Sequence, residues 1–156
     1  MTIYLATDHA GFELKEALKS FLEERKFKTI DLGAFEYDAD DDYPDCISKV
    51  AAEVSKDPAN SRAIILGGSG QGEAMVANRL PHVRATVYYG GPEEIIRLSR
   101  EHNDANVLSL GARFLSEKEA KQAVKMWLEL DFSKGERHVR RIEKIDRLEV
   151  EGKPSE

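Results

Sequence analysis

Short apolar runs alternate with amphipathic helical segments along the whole chain, and that rhythm constrains the fold more than any other feature. The apolar runs are residues 3–6, 27–32, 63–66, 84–89 and 106–110. The first intervening helix carries Phe12, Leu14, Ala17, Leu18, Phe21 and Leu22 at helical spacing. A second starts after Pro44, with Ile47, Val50, Ala51 and Val54 on one face, and ends at Asp57-Pro58. The third runs from about residue 73 and stops before Pro81, because a residue preceding proline is pushed out of the helical region. Residues 93–102 and 117–130 supply two more, and a charged helix over about 135–148 closes the pattern. Strands this short and this evenly apolar read as buried on both sides. The expected fold is therefore α/β, an open parallel five-stranded sheet with helices on both faces and an extra C-terminal helix. Neither an internal repeat nor a linker divides the chain, so residues 1–150 read as a single domain and 151–156 as a frayed tail.

Composition narrows the partners. Lys and Arg total 23 against 29 Asp and Glu, a formal charge of −6. With a pI near 5.3, nucleic acid and anionic membrane are poor default partners, because both reward positive charge. No apolar run approaches the roughly 20 residues that span a bilayer. Residues 1–5 lack the basic start and long apolar stretch of a signal peptide. The lone Cys46 can form no internal disulfide and no thiolate zinc site. The expectation is a cytoplasmic protein.

Open parallel sheets bind ligands beyond the carboxyl ends of their strands. Unusual residues gather around the expected turns: Asp8-His9, the run 67–72, His102-Asn103 and Gly111-Ala112-Arg113. All four groups are assigned to that ligand edge. Four glycines within residues 67–72, at a strand-to-helix junction, let backbone N–H groups converge on an anion. A dinucleotide fingerprint starting at Gly68 needs glycine where Glu73 stands, and a P-loop needs lysine there. A nucleophile elbow on Ser69 needs glycine in place of Gln71. What is left is an anion nest without a nucleotide signature, or a merely tight turn.

Glu73 opens the following helix, where a structural glutamate complements the macrodipole and a catalytic one would act as a base beside the nest. Asp8 or His9 can cap the helix that begins near Gly11, and His102 can be a helix-end dipole partner. Two histidines at one ligand edge favour chemistry. HExxH spacing and thiol ligands are both missing, which argues against a catalytic metal. Arg137 and Arg141 sit four apart on one helical face, as a solvated surface or as a phosphate clamp. Val139, Ile142, Ile145 and Leu148 form an apolar stripe on that helix, and a neighbouring subunit would bury it.

Taken together, these pieces resemble the ribose-5-phosphate isomerase type B family, which includes galactose-6-phosphate isomerase subunits. The matching segments are Asp8-His9-Ala10-Gly11, Asp42-Tyr43-Pro44-Asp45, Gly68-Ser69-Gly70-Gln71-Gly72 and Ala77-Asn78. They continue through Arg100-Glu101-His102-Asn103-Asp104-Ala105-Asn106, Leu110-Gly111-Ala112-Arg113 and Arg137-His138. The resemblance implies a three-layer Rossmann-like fold and cofactor-free interconversion of ribose 5-phosphate and ribulose 5-phosphate through a cis-enediolate. By the same resemblance His102 is the ring-opening acid with Asp8 beside it, and Gly68, Ser69, Gly70, Gln71 and Gly72 surround the enediolate. Arg137 and Arg141 hold the phosphate with His9 and Arg113, and Asn103 contacts the sugar. The family's sites are shared across a homodimer, with a tetramer as the larger assembly left open.

One departure matters. Many members carry a cysteine base immediately before the glycine loop, where this chain has Gly67; another branch uses a glutamate immediately after it, where Glu73 stands. The resemblance therefore implies Glu73 as the base. A six-carbon substrate such as allose or galactose 6-phosphate is the alternative within enzymes. Outside them, the alternative is a non-catalytic sugar-phosphate or flavin-binding module.

Overall fold

The computed structural model describes residues 1–151. Its order is β1 (Thr2–Thr7), a 3₁₀ turn (His9–Gly11), α1 (Phe12–Glu24), β2 (Lys28–Asp31), α2 (Tyr43–Lys56) and β3 (Ser61–Gly67). There follow α3 (Gln71–Ala77), β4 (Ala85–Tyr88), α4 (Glu94–Glu101), β5 (Val107–Gly111), α5 (Glu117–Glu129) and α6 (Glu136–Glu151). The strands pair in the order β2-β1-β3-β5-β4, and every pairing is parallel. This is the Rossmann-like, three-layer arrangement that the alternating pattern predicts. The frayed tail expected over 151–156 lies outside the described residues, apart from Glu151, which ends α6.

The period of two along each strand divides the core into two layers. Ile3, Leu5, Ile64, Leu66, Leu108 and Leu110 face α1, α4 and α5, where Leu18, Leu22, Ile96, Val124 and Trp127 meet them. Ala6, Ala63, Ile65 and Val107 point the other way, to Ile47, Val50 and Val54 of α2 and Ala77 of α3. Each fully buried Leu or Ile contributes about 1.5–3 kcal/mol by leaving water, so both layers hold the sheet. Among the described residues no helix is long and apolar enough to cross a membrane.

Local chemistry explains the element ends. Pro44 sits in the first turn of α2, where its missing N–H costs nothing. Ser116 and Glu119 form a reciprocal capping box at α5. α3 stops at Ala77, earlier than Pro81 alone requires. Asn78 accepts from the Ala85 N–H at 2.7 Å and donates to the Ala85 carbonyl at 3.0 Å, which turns the chain into the edge strand β4. α6 begins well anchored, with His138 buried, but Ile145 and Leu148 on its apolar stripe stay exposed.

Candidate active site

The chain leaves β1 for β2 on one side and reaches β3 on the other, which makes the β1/β3 boundary the switch point of the sheet. Asp8 emerges from β1 there and is buried; its Oδ1 accepts the Ala10 N–H at 3.0 Å. Asp8 thus caps the short 3₁₀ turn rather than α1 itself. His9, next in line, donates its backbone N–H to Asp41 Oδ1 at 3.0 Å, and its Nδ1 lies 2.7 Å from the same oxygen. The hydrogen bond to Asp41 raises the His9 pKa; the charges of Asp8 and Asp41 add to it, while partial burial and Arg113 oppose.

The loop after β3 is pinned from below. The Gly67 and Gly68 carbonyls accept the Ala112 and Arg113 N–H groups at 2.8 and 3.1 Å, and Ser109 Oγ donates to the Gly70 carbonyl. Gly70 takes φ +78°, and a Cβ there would lie 2.9 Å from the Leu110 carbonyl carbon, so only glycine fits. The N–H groups of Ser69 and Gly70 have no partner among the described residues and are free to meet a ligand. The Arg113 guanidinium reaches over Gly68, within 3.1 Å of where a Cβ would stand.

Glu73 is 3% exposed and folds back over the end of β3. Its carboxylate occupies the volume that any side chain at Gly67 would need. A side chain at residue 67 and Glu73 in this rotamer would therefore compete for the same space. Burial pushes the Glu73 pKa up, and the nearby Asp8 charge pushes it further, against a hydrogen bond from its own N–H. A buried carboxylate with a raised pKa at the end of a glycine loop is suited to abstract a carbon-bound proton.

His102 and Asn103 do not join this group, which corrects the expectation that they share the ligand edge. They close α4 and precede β5, so they lie at the amino end of the sheet. β5 pairs in register with β3 from Ala63↔Val107 to Gly67↔Gly111, and five residues of strand span about 16 Å. The surrounding motif is largely a clamp for that turn. Asp104 receives Arg100 Nη1 at 2.9 Å and Arg84 Nη2 at 3.1 Å, while Asn106 bridges the Arg84 N–H and the His82 carbonyl, both at 2.8 Å. Arg100 also donates to the Leu130 and Ala105 carbonyls.

α6 starts beside this turn. The His138 ring stacks on His102 with centroids 4.2 Å apart and planes 13° apart. Burial lowers the His138 pKa, and His102, Arg137 and Arg141 lower it further. Arg137 and Arg141 are exposed. The predicted site residues thus fall into two separate clusters, each one half of the expected site: Asp8, His9, the glycine loop, Glu73 and Arg113 at one edge, His102, Asn103, Arg137 and Arg141 at the other. Asp41 and His138 are the residues that sequence reasoning missed. Asp41 sits in an acidic loop with no periodic signal, and His138 appears in a matching segment without a role attached.

A model of the Ribose/Galactose Isomerase family matches residues 3–145. The chain belongs to this family. Ribose-5-phosphate isomerase B of Mycolicibacterium paratuberculosis is 43% identical over 143 residues, covering 92% of this chain and 88% of its own. The crystal structure of ribose-5-phosphate isomerase B from Mycoplasma genitalium, with bound ribulose-5-phosphate, has a TM-score of 0.91 at 39% identity, covering 96% of this chain and 97% of that one. That of Clostridium thermocellum ribose-5-phosphate isomerase B has a TM-score of 0.90 at 37% identity, covering 98% and 100%.

Two further features bear on what the isomerase-family site can hold. Asp8, His9 and Asp41 bring three potential metal-ligand atoms within 4.8 Å of one another, but His9 and Asp41 are bonded to each other and Asp8 to Ala10. A cavity of about 640 Å³ lies along α3 and β4, lined by Ala74, Val87 and the exposed Met75 and Tyr89.

Proposed function

We propose that this isomerase-family chain, as one domain over residues 1–150, interconverts ribose 5-phosphate and ribulose 5-phosphate with Glu73 as the proton carrier. The observation that supports it most is the Glu73 carboxylate, buried in the space vacated at Gly67 at the start of the glycine loop. The furanose opens first: His102 of the partner subunit protonates the ring oxygen as its bond to C1 breaks, and Asp8 accepts the proton of the anomeric hydroxyl as C1=O1 forms. Glu73 then takes the proton from C2; the C–H electron pair becomes the C1=C2 bond, and O1 takes the negative charge. The Ser69 hydroxyl and the loop N–H groups of residues 68–72 stabilise that oxygen. Glu73 returns the proton to C1 as the O2 proton passes to O1, which yields the ketose. His9 and Arg113 hold the phosphate together with the partner's Arg137 and Arg141, and the partner's Asn103 contacts a sugar hydroxyl.

The separation of the half-sites supports a homodimer. A second copy, seated along the exposed Met75 and Tyr89 and the outer half of α6, would bring each amino-edge cluster to the other's carboxyl edge. A homodimer with two-fold symmetry makes two such sites at once. The doubly charged sugar phosphate and the lack of any cofactor step fit a cytoplasmic enzyme. The test is a panel of aldose phosphates compared by kcat/KM. Ribose 5-phosphate should lead; a clear preference for allose or galactose 6-phosphate would move the reading to a six-carbon substrate.

A further inference from the structure

We infer that Asp41 is a positioning residue that sets the orientation and charge of His9 and thereby controls how tightly the substrate phosphate is held. The inference rests on the isomerase reading for its substrate and for His9 as a phosphate ligand, and on geometry for the link from Asp41 to His9. Asp41 Oδ1 takes both the backbone N–H of His9 and its ring Nδ1, at 3.0 and 2.7 Å. One oxygen thus fixes the main chain and the imidazole of the same residue, across 32 positions of sequence. With Nδ1–H engaged, Nε2 is the nitrogen left to face an incoming anion.

The loop that carries Asp41 is held at its base. Lys15 is fully buried, and its ammonium donates to Asp31 Oδ2 at 2.6 Å and to the Ala34 carbonyl at 2.8 Å. Tyr37, further along the loop, sets its ring edge-on to His9 at 6.3 Å. The loop therefore reaches the site already anchored, and Asp41 need not be ordered when substrate arrives.

The charge consequence has a definite sign. An imidazole of ordinary pKa is mostly neutral above about pH 7 and offers a phosphate dianion only a weak dipole. The charged groups facing His9 are Asp8 before it, Asp41 from the loop and Arg113 from the turn after β5; partial burial and Arg113 oppose protonation, and the hydrogen bond to Asp41 outweighs them. Pairing with Asp41 extends the cationic form to higher pH, so phosphate affinity is full at low pH and is lost as pH rises through the His9 pKa. The substrate phosphate, with its second pKa near about 6, titrates on the acid side and is a separate limb.

The experiment compares wild type, Asp41→Asn, Asp41→Ala and Asp38→Asn. Asp38 carries a charge in the same loop without touching His9 and is the control. His9 is followed by NMR titration, with its signal assigned by loss in His9→Gln, and KM and kcat for ribose 5-phosphate are measured over the same pH range. The Asn and Ala variants should move the His9 titration to lower pH. They should raise KM above neutrality about tenfold, the loss expected for one charge-assisted hydrogen bond, with kcat nearly unchanged. Asp38→Asn should behave as wild type. A His9 titration and KM unchanged in Asp41→Asn overturn the inference, as does a fall in kcat at constant KM. If wild type isomerises no aldose phosphate, the isomerase reading fails by itself. Inorganic phosphate titrated against wild type and Asp41→Asn then decides: weaker binding by the variant supports Asp41, and equal binding overturns it.

Discussion

The two half-sites are built from different material. At the carboxyl edge Asp8 and Glu73 are buried, the loop carbonyls are pinned to the next turn, and His9 is tied to Asp41 before any ligand arrives. At the amino edge Arg137 and Arg141 stand exposed on a helix whose outer apolar residues are also exposed. The first half is preorganised by its own sheet. The second has its turn clamped by Arg84, Arg100 and Asp104, but its cations are held by no such contacts and stand exposed. The difference teaches that burial within the chain orders the candidate base and its loop, while on the proposed reading the exposed arginines need a second copy to complete the phosphate site that His9 and Arg113 begin.

The largest effect should come from the buried half. Glu73→Gln keeps the shape that fills the Gly67 space and removes the base, so kcat should fall by about 10²–10⁴-fold with KM preserved. The same variant should be more stable at neutral pH. A carboxyl whose folded pKa is raised binds its proton more tightly folded than unfolded, so folding loses stability as pH rises from the unfolded value through the folded one. Glutamine removes that loss, and Tm measured at pH 7 should rise. In wild type, kcat should fall as pH drops through the raised Glu73 pKa.

Next come the cations of the assembled half. Arg137→Ala or Arg141→Ala should raise KM by about 30-fold or more if the pair meets phosphate in a closed interface. Wild-type KM in both would show them to be ordinary surface arginines and would erase the contrast between the halves.

A smaller but sharper effect tests sharing directly. Glu73→Gln and Arg141→Ala, each nearly inactive at low substrate concentration, should regain activity when mixed and allowed to exchange subunits. Random pairing in a two-fold dimer gives one intact site in half of the molecules, so about a quarter of wild-type activity returns. No recovery would put all the machinery in one chain. The smallest effect is expected at Cys46: its half-buried thiol has a raised pKa because of burial, and Cys46→Ser should leave kcat unchanged.

Much of the carboxyl edge was legible in the chain. Residues that follow a strand lie at its carboxyl end, so Asp8, the run 67–72, Glu73 and Arg113 converge by topology alone. The same rule, applied strictly, sends His102 and Asn103 to the other edge, because they precede a strand. Their pairing with phosphate-site residues by type concealed that. α3 was read too long because the side chain of Asn78 bonds β4, a contact that no helical periodicity signals.

The alternation of apolar runs and amphipathic helices determined the parallel sheet, its two faces and the position of the glycine loop, because burial periodicity is a local property of the chain. Three facts needed the tertiary structure: Asp41 meets His9, the Glu73 carboxylate takes the volume of a side chain at Gly67, and His138 stacks on His102. Each depends on where a loop or helix end returns in space. Such contacts are set by packing between distant segments and leave no period in the sequence that would announce them.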